Sequence, residues 1–575
     1  LFNIAPTSPM LPEEEKVVIV TPTKGGPGKI LIREDTILAN LQGCAGCGRA
    51  QFACAGMKEQ LSVLCWGRPT DRKYYSIILL SLLFVLSLLG TVFFCFTNTL
   101  TDAILSNMVI RNNSHAYSVW RRPNVQPLMK VHIFNYTNWR QVRSGLEKKL
   151  HVEAVGPYVY SQQLERVNIK FAGDTVTFQE KTTFTYMPHL SAGSSMDVIE
   201  VPNLPLLVSL SIKLQSLKSG FVAKLQSLNG FEHFTMAQTL NIYPDHPDAF
   251  INLTVPSFLW GYDDKIIDLA KIKLSFDGQL HFTKFGLLVT KNGTGSDVMT
   301  INTGQKDMSK MNFIEKFNGD QHLPYWGTPQ CNSLESTDGT MIPPSLLDKQ
   351  QQLQVFFPNL CRRLPYEYEK EVEFTDGIKL LRYRLPDGVF DDPTLNKDNE
   401  CYCSMDTANC PPRGLINLTA CTLGAPVLAS FPHFYAGDPS LKEDITGLED
   451  LDEPPANFID FHPTLGFALS GKSSLQLNIQ VMKTSSQYSA LRFLKDGMVL
   501  PVAWIEMGLE DIPESLKTLV YHGTYSTAAA QLGLMIVSVI SFIISGISLC
   551  IIIKRRRKPC ATIKAIQLDM KNQGS

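Results

Sequence analysis

The sequence predicts an α+β membrane protein: a mainly antiparallel β body with helical insertions, carried between two transmembrane helices. Two long uncharged runs, Ile77–Phe96 and Leu532–Ile553, lie toward opposite ends of the 575 residues. Between them, short runs rich in β-branched and aromatic residues alternate with polar breaks, the pattern of strands. One segment, Leu206–Phe221, instead repeats its apolar residues at spacings of three and four, the pattern of an amphipathic helix.

The first run is twenty residues long. At a rise of about 1.5 Å per residue it spans the roughly 30 Å hydrocarbon core of a bilayer. It begins 76 residues into the chain, beyond the reach of a cleavable secretory signal, and reads as a permanent anchor. Arg68, Arg72 and Lys73 precede it and Asp102 is the first charge after it, which places the amino-terminal side in the cytosol. The second run is followed by Lys554, Arg555, Arg556, Arg557 and Lys558, which places that end in the cytosol too. The predicted organisation is a cytosolic tail (1–73), a first span (74–97), an outer domain (98–527), a second span (528–553) and a cytosolic tail (554–575).

The first tail is rich in Gly, Pro and charge, with no sustained period, and reads as disordered. Cys44, Cys47, Cys54 and Cys65 lie in it without the paired short spacing of a zinc site, so no metal is expected. Cys65 and Cys560 fall close to the membrane on the cytosolic side, where S-acylation is chemically reasonable and free thiols are the plain alternative. The outer domain holds six of the 13 cysteines, all within 331–421: Cys331, Cys361, Cys401, Cys403, Cys410 and Cys421. An even cluster on the oxidising side reads as three disulfides, although spacing alone leaves 15 connectivities open. Sequons at Asn112, Asn135, Asn252, Asn292 and Asn417 all fall in the same domain, as expected for an extracellular glycoprotein.

Along the outer domain, Lys130–Phe134, Pro157–Tyr160 and Thr175–Phe178 read as strands. In the helical segment, Leu207, Leu210, Leu214, Leu217 and Phe221 form one apolar face. From Leu204 to Phe231 there are three lysines, Lys213, Lys218 and Lys224, and no acidic residue, although the whole chain has a net charge of -1. This reads either as a solvated helix face or as a basic landing surface for anionic ligands. The balanced overall charge gives no reason to expect a nucleic-acid partner.

Gly466-Phe-Ala-Leu-Ser-Gly471-Lys472-Ser473 matches the phosphate-loop pattern, but a phosphate loop needs a helix after it. Ser474–Val481 instead alternates Leu475, Leu477, Ile479 and Val481 with polar residues, which is strand periodicity. There is no GxSxG elbow and no HExxH motif. His433 reads as a packed structural histidine. No catalytic residue and no cofactor is expected.

The residues that next carry weight are Val131-His-Ile-Phe-Asn-Tyr-Thr-Asn138, Val155-Gly-Pro-Tyr158, Leu259-Trp-Gly-Tyr-Asp263, Phe285-Gly286 with Asn292-Gly-Thr294, and Thr337-Asp-Gly339 before Pro343-Pro344. They continue with Cys361-Arg362-Arg363, Cys401-Tyr-Cys403, Gly424-Ala-Pro426, Pro432-His-Phe434 and Gln476-Leu-Asn478. In this order, over about Tyr74 to Lys558, the chain resembles the class B scavenger receptors, the CD36 family. The resemblance implies a β-rich outer domain, an apical helical bundle (about 204–247) and an internal apolar tunnel running toward the membrane. It also implies the pairs Cys331–Cys401, Cys361–Cys421 and Cys403–Cys410. The long tail before Tyr74 departs from the family, so the resemblance says nothing about it.

The resulting expectation is a cell-surface receptor that binds lipids, lipoproteins or lipid-carrier proteins at Lys213, Lys218 and Lys224 and lets lipid move passively into the bilayer. The alternative is a receptor for protein cargo, microbes or apoptotic cells, acting in adhesion, endocytosis or sorting. The lysosomal sorting receptor of the family that the chain resembles uses an acidic dileucine signal in its tail; residues 554–575 contain neither that nor a tyrosine, which favours the plasma membrane. Finally, Ser538, Ser541, Ser545 and Ser548 line one face of the second span, a small-residue surface suited to helix pairing or to homo-oligomers.

Overall fold

A computed structural model of the chain describes residues 71–97, 99–209, 248–265, 284–375, 377–403, 410–422, 424–483, 489–509 and 512–572. It divides into two compact units, Leu1–Leu88 with Val539–Ser575, and Leu89–Ser538. Helix α1 (Asp71–Phe96) is followed by α2 (Thr99–Met108) and α3 (His115–Arg121). The last starts where the Ser114 hydroxyl accepts the Tyr117 backbone N–H at 3.0 Å.

The body follows. Strand β1 (Leu128–Tyr136) leads through α4 (Trp139–Ser144) to the long β2 (Leu150–Ala172) and β3 (Thr175–Tyr186). The pair β4 (Val198–Pro202) and β5 (Phe250–Thr254) forms a small separate sheet, and α5 (Val255–Trp260) runs straight out of β5. Then come β6 (Gly293–Asn302), β7 (Ile314–Phe317), β8 (Leu353–Phe357), β9 (Arg362–Glu373), β10 (Lys379–Arg384), β11 (Leu415–Asn417), β12 (Val427–Ser430), β13 (Ile445–Thr446), β14 (Phe458–Phe461), β15 (Ala468–Gln480) and β16 (Val499–Gly508). Fourteen of these strands make one sheet, whose main path runs β7-β6-β3-β2-β1-β16-β15-β14-β10-β9-β8. Every neighbouring pair on that path is antiparallel. The three runs read as strands from the sequence fall inside β1, β2 and β3.

The two ends of that path meet. Ile314 N–H, at the β7 edge, donates to Ser336 O at 2.9 Å, and Phe356 N–H, at the β8 edge, donates to Thr337 O at 2.9 Å. Two residues therefore stitch the outermost strands together, and the sheet closes on itself without a long exposed edge. The residues beside the stitch show which face is enclosed. Asp338 reaches Arg166 of β2, and a Cβ on Gly339 (φ +78°) would lie 2.9 Å from Val355 of β8 and 3.5 Å from Ile459 of β14. Side chains of non-neighbouring strands meet only across the inner face.

The predicted helix over Leu206–Phe221 is helical at 204–209; its remainder lies outside the described residues, as does most of the expected apical bundle. The phosphate-loop pattern falls inside a strand: Gly471, Lys472 and Ser473 belong to β15, and Lys472 pairs with Glu506 at 3.1 Å. After β16 the backbone turns helical well before the expected second span. Helix α6 (Glu514–Tyr521) passes through a π-helical turn, His522–Ser526, into α7 (Thr527–Asn572). Two stretches here are long and apolar enough to cross a membrane, Tyr75–Phe96 and Leu516–Lys554. The helix runs past Ile553 to Asn572, through the segment read as a tail.

The serine face of the second span is turned onto the first within the same chain. Ser545 is fully covered, Phe84 stacks on Phe542 with ring centroids 4.8 Å apart, and a Cβ at Gly90 would stand 3.5 Å from the Ser538 Cβ. That separation lies in the range a disulfide requires. A Gly90→Cys/Ser538→Cys variant should therefore cross-link within one chain on oxidation, seen as a gel shift after a proteolytic nick in the ectodomain. Adding Ser541→Leu and Ser545→Leu should sharply reduce the yield; an unchanged yield contradicts this packing.

Candidate ligand-bearing face

Register carries the inner face from strand to strand. Met129, Val131 and Ile133 of β1 stand opposite Met507, Ile505 and Ala503 of β16, which in turn stand opposite Ser473, Leu475 and Leu477 of β15. On β2 and β3 the same face carries Tyr160 and Tyr186. Almost every side chain here is apolar. Yet only part of the face is filled: Val131, Ile133 and Ala503 are fully buried, while Leu475, Leu477, Ile505, Met507, Ile459 and Val155 remain partly accessible. These side chains lie on the inner side of the closed sheet and keep accessible apolar surface there.

One end of this face is aromatic. Trp260, at the end of α5, packs against Tyr160 at 5.1 Å and Phe184 at 5.2 Å between ring centroids. The preceding turn explains two of the family motifs at once. A Cβ on Gly286 would sit 2.6 Å from Gly261 N and 3.0 Å from Leu259 O, so the two segments touch backbone to backbone. The far end is polar. Arg166, 2% exposed, donates to Trp120 O at 2.6 Å and to Asp338 Oδ2 at 3.3 Å, and its guanidinium lies 4.9 Å from the Trp120 ring centroid. Asp338 Oδ1 also accepts Asn312 Nδ2 at 2.6 Å. Glu180, with 45% of its side chain accessible, faces the same guanidinium at 3.7 Å.

The outer face of β15 and β16 inverts the usual pattern. Ser474, Gln476 and Asn478 are almost completely buried, more so than the leucines between them. They are covered by the 427–457 segment and satisfied by it: His433 N–H donates to Gln476 Oε1 at 2.7 Å, Asn478 Nδ2 to Ser430 Oγ at 3.0 Å, and Ser474 N–H to Asn457 Oδ1 at 2.8 Å. His433 is buried beside Trp504, and its Nδ1 accepts the Glu449 N–H at 3.1 Å, a structural setting. His132 stacks on Trp504 at 3.7 Å. Burial pulls its pKa down to about 4 against the opposing pull of Glu506.

The predicted functional residues are distributed as follows. Lys213, Lys218 and Lys224 lie outside the described residues, as do Cys65 and the Cys44–Cys54 cluster; at Cys560 only the helical backbone is described. The structure joins Cys331 to Cys401, Cys361 to Cys421 and Cys403 to Cys410. Asn112, Asn252 and Asn292 are exposed. Asn135 and Asn417 are half-buried, their Oδ1 atoms accepting the N–H of Glu200 and of Thr419, with Nδ2 the atom a glycan would use. Sequence reasoning missed Arg166 and His462. Neither sits in a spacing that marks it, since their partners lie far away in the chain.

Two terminal apolar helices around one disulfide-bonded β body define a two-span membrane protein with a central ectodomain. The model of the CD36 family matches residues 78–553, and the chain belongs to that family, whose members are receptors. It is 32% identical over 406 residues to scavenger receptor class B member 1 of Mus musculus, covering 70% of this chain and 74% of that protein. With the Bos taurus protein of the same name it shares 31% identity over 419 residues, 72% of this chain and 77% of the relative. It is 29% identical over 432 residues to lysosome membrane protein 2 of Homo sapiens, covering 74% and 83% respectively. These relatives mark it as a class B scavenger receptor.

His462 sits where the ectodomain meets the second span. It is buried; its Nδ1 accepts the N–H groups of Thr464 and Leu465 at 3.2 and 3.1 Å, and Nε2 faces Thr524 Oγ1 at 2.8 Å. Two donors on Nδ1 assign the proton to Nε2. Burial lowers its pKa from 6.5 to about 4. An unfolded imidazole takes up its proton below about pH 6.5 while the folded one stays neutral. The stability that His462 contributes is therefore complete above about pH 6.5 and is lost as the pH falls toward 4. His132 adds in the same direction. Melting temperature of the purified full-length protein should fall across this window. His462→Gln should lower it at neutral pH and flatten the slope; an equal slope in the variant would refute the assignment.

Proposed function

We propose that this receptor takes up lipid, from a lipoprotein or a lipid-carrier protein, and passes it along the enclosed apolar face to the bilayer, downhill and without catalysis. One observation carries the reading: partly accessible apolar side chains on the inner side of a closed sheet. Carrying an 18-carbon chain through water costs on the order of 14 kcal/mol at about 0.8 kcal/mol per CH₂, so a shielded path removes most of the barrier while leaving the end points unchanged. The polar group at Arg166 closes one end of that face, so the path runs beside this network or through it when it opens.

Capture falls to Lys213, Lys218 and Lys224. Their segment leaves the body at 204–209, where Leu206 and Leu207 are buried in the core beside Phe250. The basic flanks of the spans support cytosolic termini, and residues 554–575, without a dileucine or tyrosine signal, support the plasma membrane. The second reading is a receptor for protein cargo, microbes or apoptotic cells acting in adhesion, endocytosis or sorting; the likeness to lysosome membrane protein 2 supports a lysosomal location for it.

Two measurements separate these readings. Leu475→Trp with Ile505→Trp fills the inner face. Uptake of a fluorescent cholesteryl ester from lipoprotein should fall about tenfold, the effect of about 1.4 kcal/mol of added barrier, while lipoprotein binding to cells is retained. Unchanged uptake removes the conduit and leaves the cargo reading. Changing Lys213, Lys218 and Lys224 to Glu should instead reduce binding of anionic lipoprotein more than tenfold at low salt, with the deficit narrowing as salt rises. Unchanged binding places capture elsewhere.

A further inference from the structure

We propose that Arg362 holds a small monovalent anion, chloride in extracellular fluid, in a pocket lined by the Cys403–Cys410 disulfide. Arg362 opens β9 directly after Cys361, and Tyr402, whose ring lies 3.7 Å under its guanidinium, sits between Cys401 and Cys403. The residue is 5% exposed. One of its N–H groups donates to Asn399 Oδ1 at 2.8 Å. That amide is held in orientation, because its Nδ2 donates to Val389 O at 3.0 Å and to Asp391 O at 2.7 Å. Nε has no acceptor, and among the described residues no carboxylate pairs with the guanidinium.

The contrast with the other covered arginines is direct. Arg166 has Asp338 and Glu180, and Arg382 has both oxygens of Asp460, at 2.7 and 2.8 Å. An uncompensated buried cation is costly, and burial alone pulls the Arg362 pKa down to about 10. The guanidinium borders a cavity of about 20 Å³, lined also by Asn399, Tyr402, Asn417 and the Cys403–Cys410 bridge, with room for one ion of roughly water size. Asp391 and Asp392 line the far wall but are engaged elsewhere. The Asp392 carboxylate accepts both the N–H and the hydroxyl of Thr394, and the charged neighbours of Asp391 are Arg413 and Asp392.

The test uses the full-length receptor in detergent. Wild type should melt about 2–4 °C higher in about 0.15 M chloride than in gluconate of equal ionic strength, and Arg362→Gln should abolish the difference. Crystals soaked in bromide should show an anomalous peak against Arg362, a readout that needs no variant to fold. Equal melting of the wild type in both salts, an equal chloride effect in Arg362→Gln, or a pocket without bromide and with a carboxylate of the chain itself on the guanidinium each overturns the proposal.

Discussion

The hydrogen-bonded cover over β15 is the constraint on which the rest of the body depends. A strand that alternates polar and apolar residues ordinarily hides its apolar side and wets the other. Here Gln476 and Asn478 are sealed by Ser430 and His433, each polar group finding a protein partner in place of water. A buried amide left unpaired would cost about 1–3 kcal/mol, so the pairing of Gln476 and Asn478 is what makes the cover tolerable. Once the polar side is sealed, the apolar side is the one left to face the interior of the closed sheet.

Closure is the second requirement, and it is achieved cheaply. An open sheet of this length would offer two unpaired edges to other chains. Ser336 and Thr337 remove both with two backbone hydrogen bonds, and the next two residues of the same motif extend inward, Asp338 to neutralise Arg166 and Gly339 because Val355 leaves no space for a side chain. A tetrapeptide thus shapes both the wall and the interior.

Much of this was legible in the sequence. The two spans, the β character of the body, the strands around Val131, Tyr158 and Val176, and the strand in place of a phosphate loop after Gly466 all follow from local periodicity. The cover over β15 does not. The alternation of Ser474 to Val481 declares two faces, but which one is covered depends on Ser430 and His433, some forty residues earlier in the chain. Arg166 was invisible for the same reason, since Asp338 lies 172 positions away. Long-range partners leave no spacing to read. The pairing of the six cysteines was likewise open to spacing alone, and only the family resemblance supplied one.

The clasp between His462 and Thr524 bears on how the receptor can move. Helix α6 runs directly into the π-helical turn, and Gly523 packs against Leu465 beside the same imidazole. The outer stub of the last helix is thereby keyed to the β14–β15 corner rather than hung from it by a swivel. Torque applied to that stub cannot dissipate in a slack tether; it arrives at the wall of the sheet, beside the strand that bears Leu475.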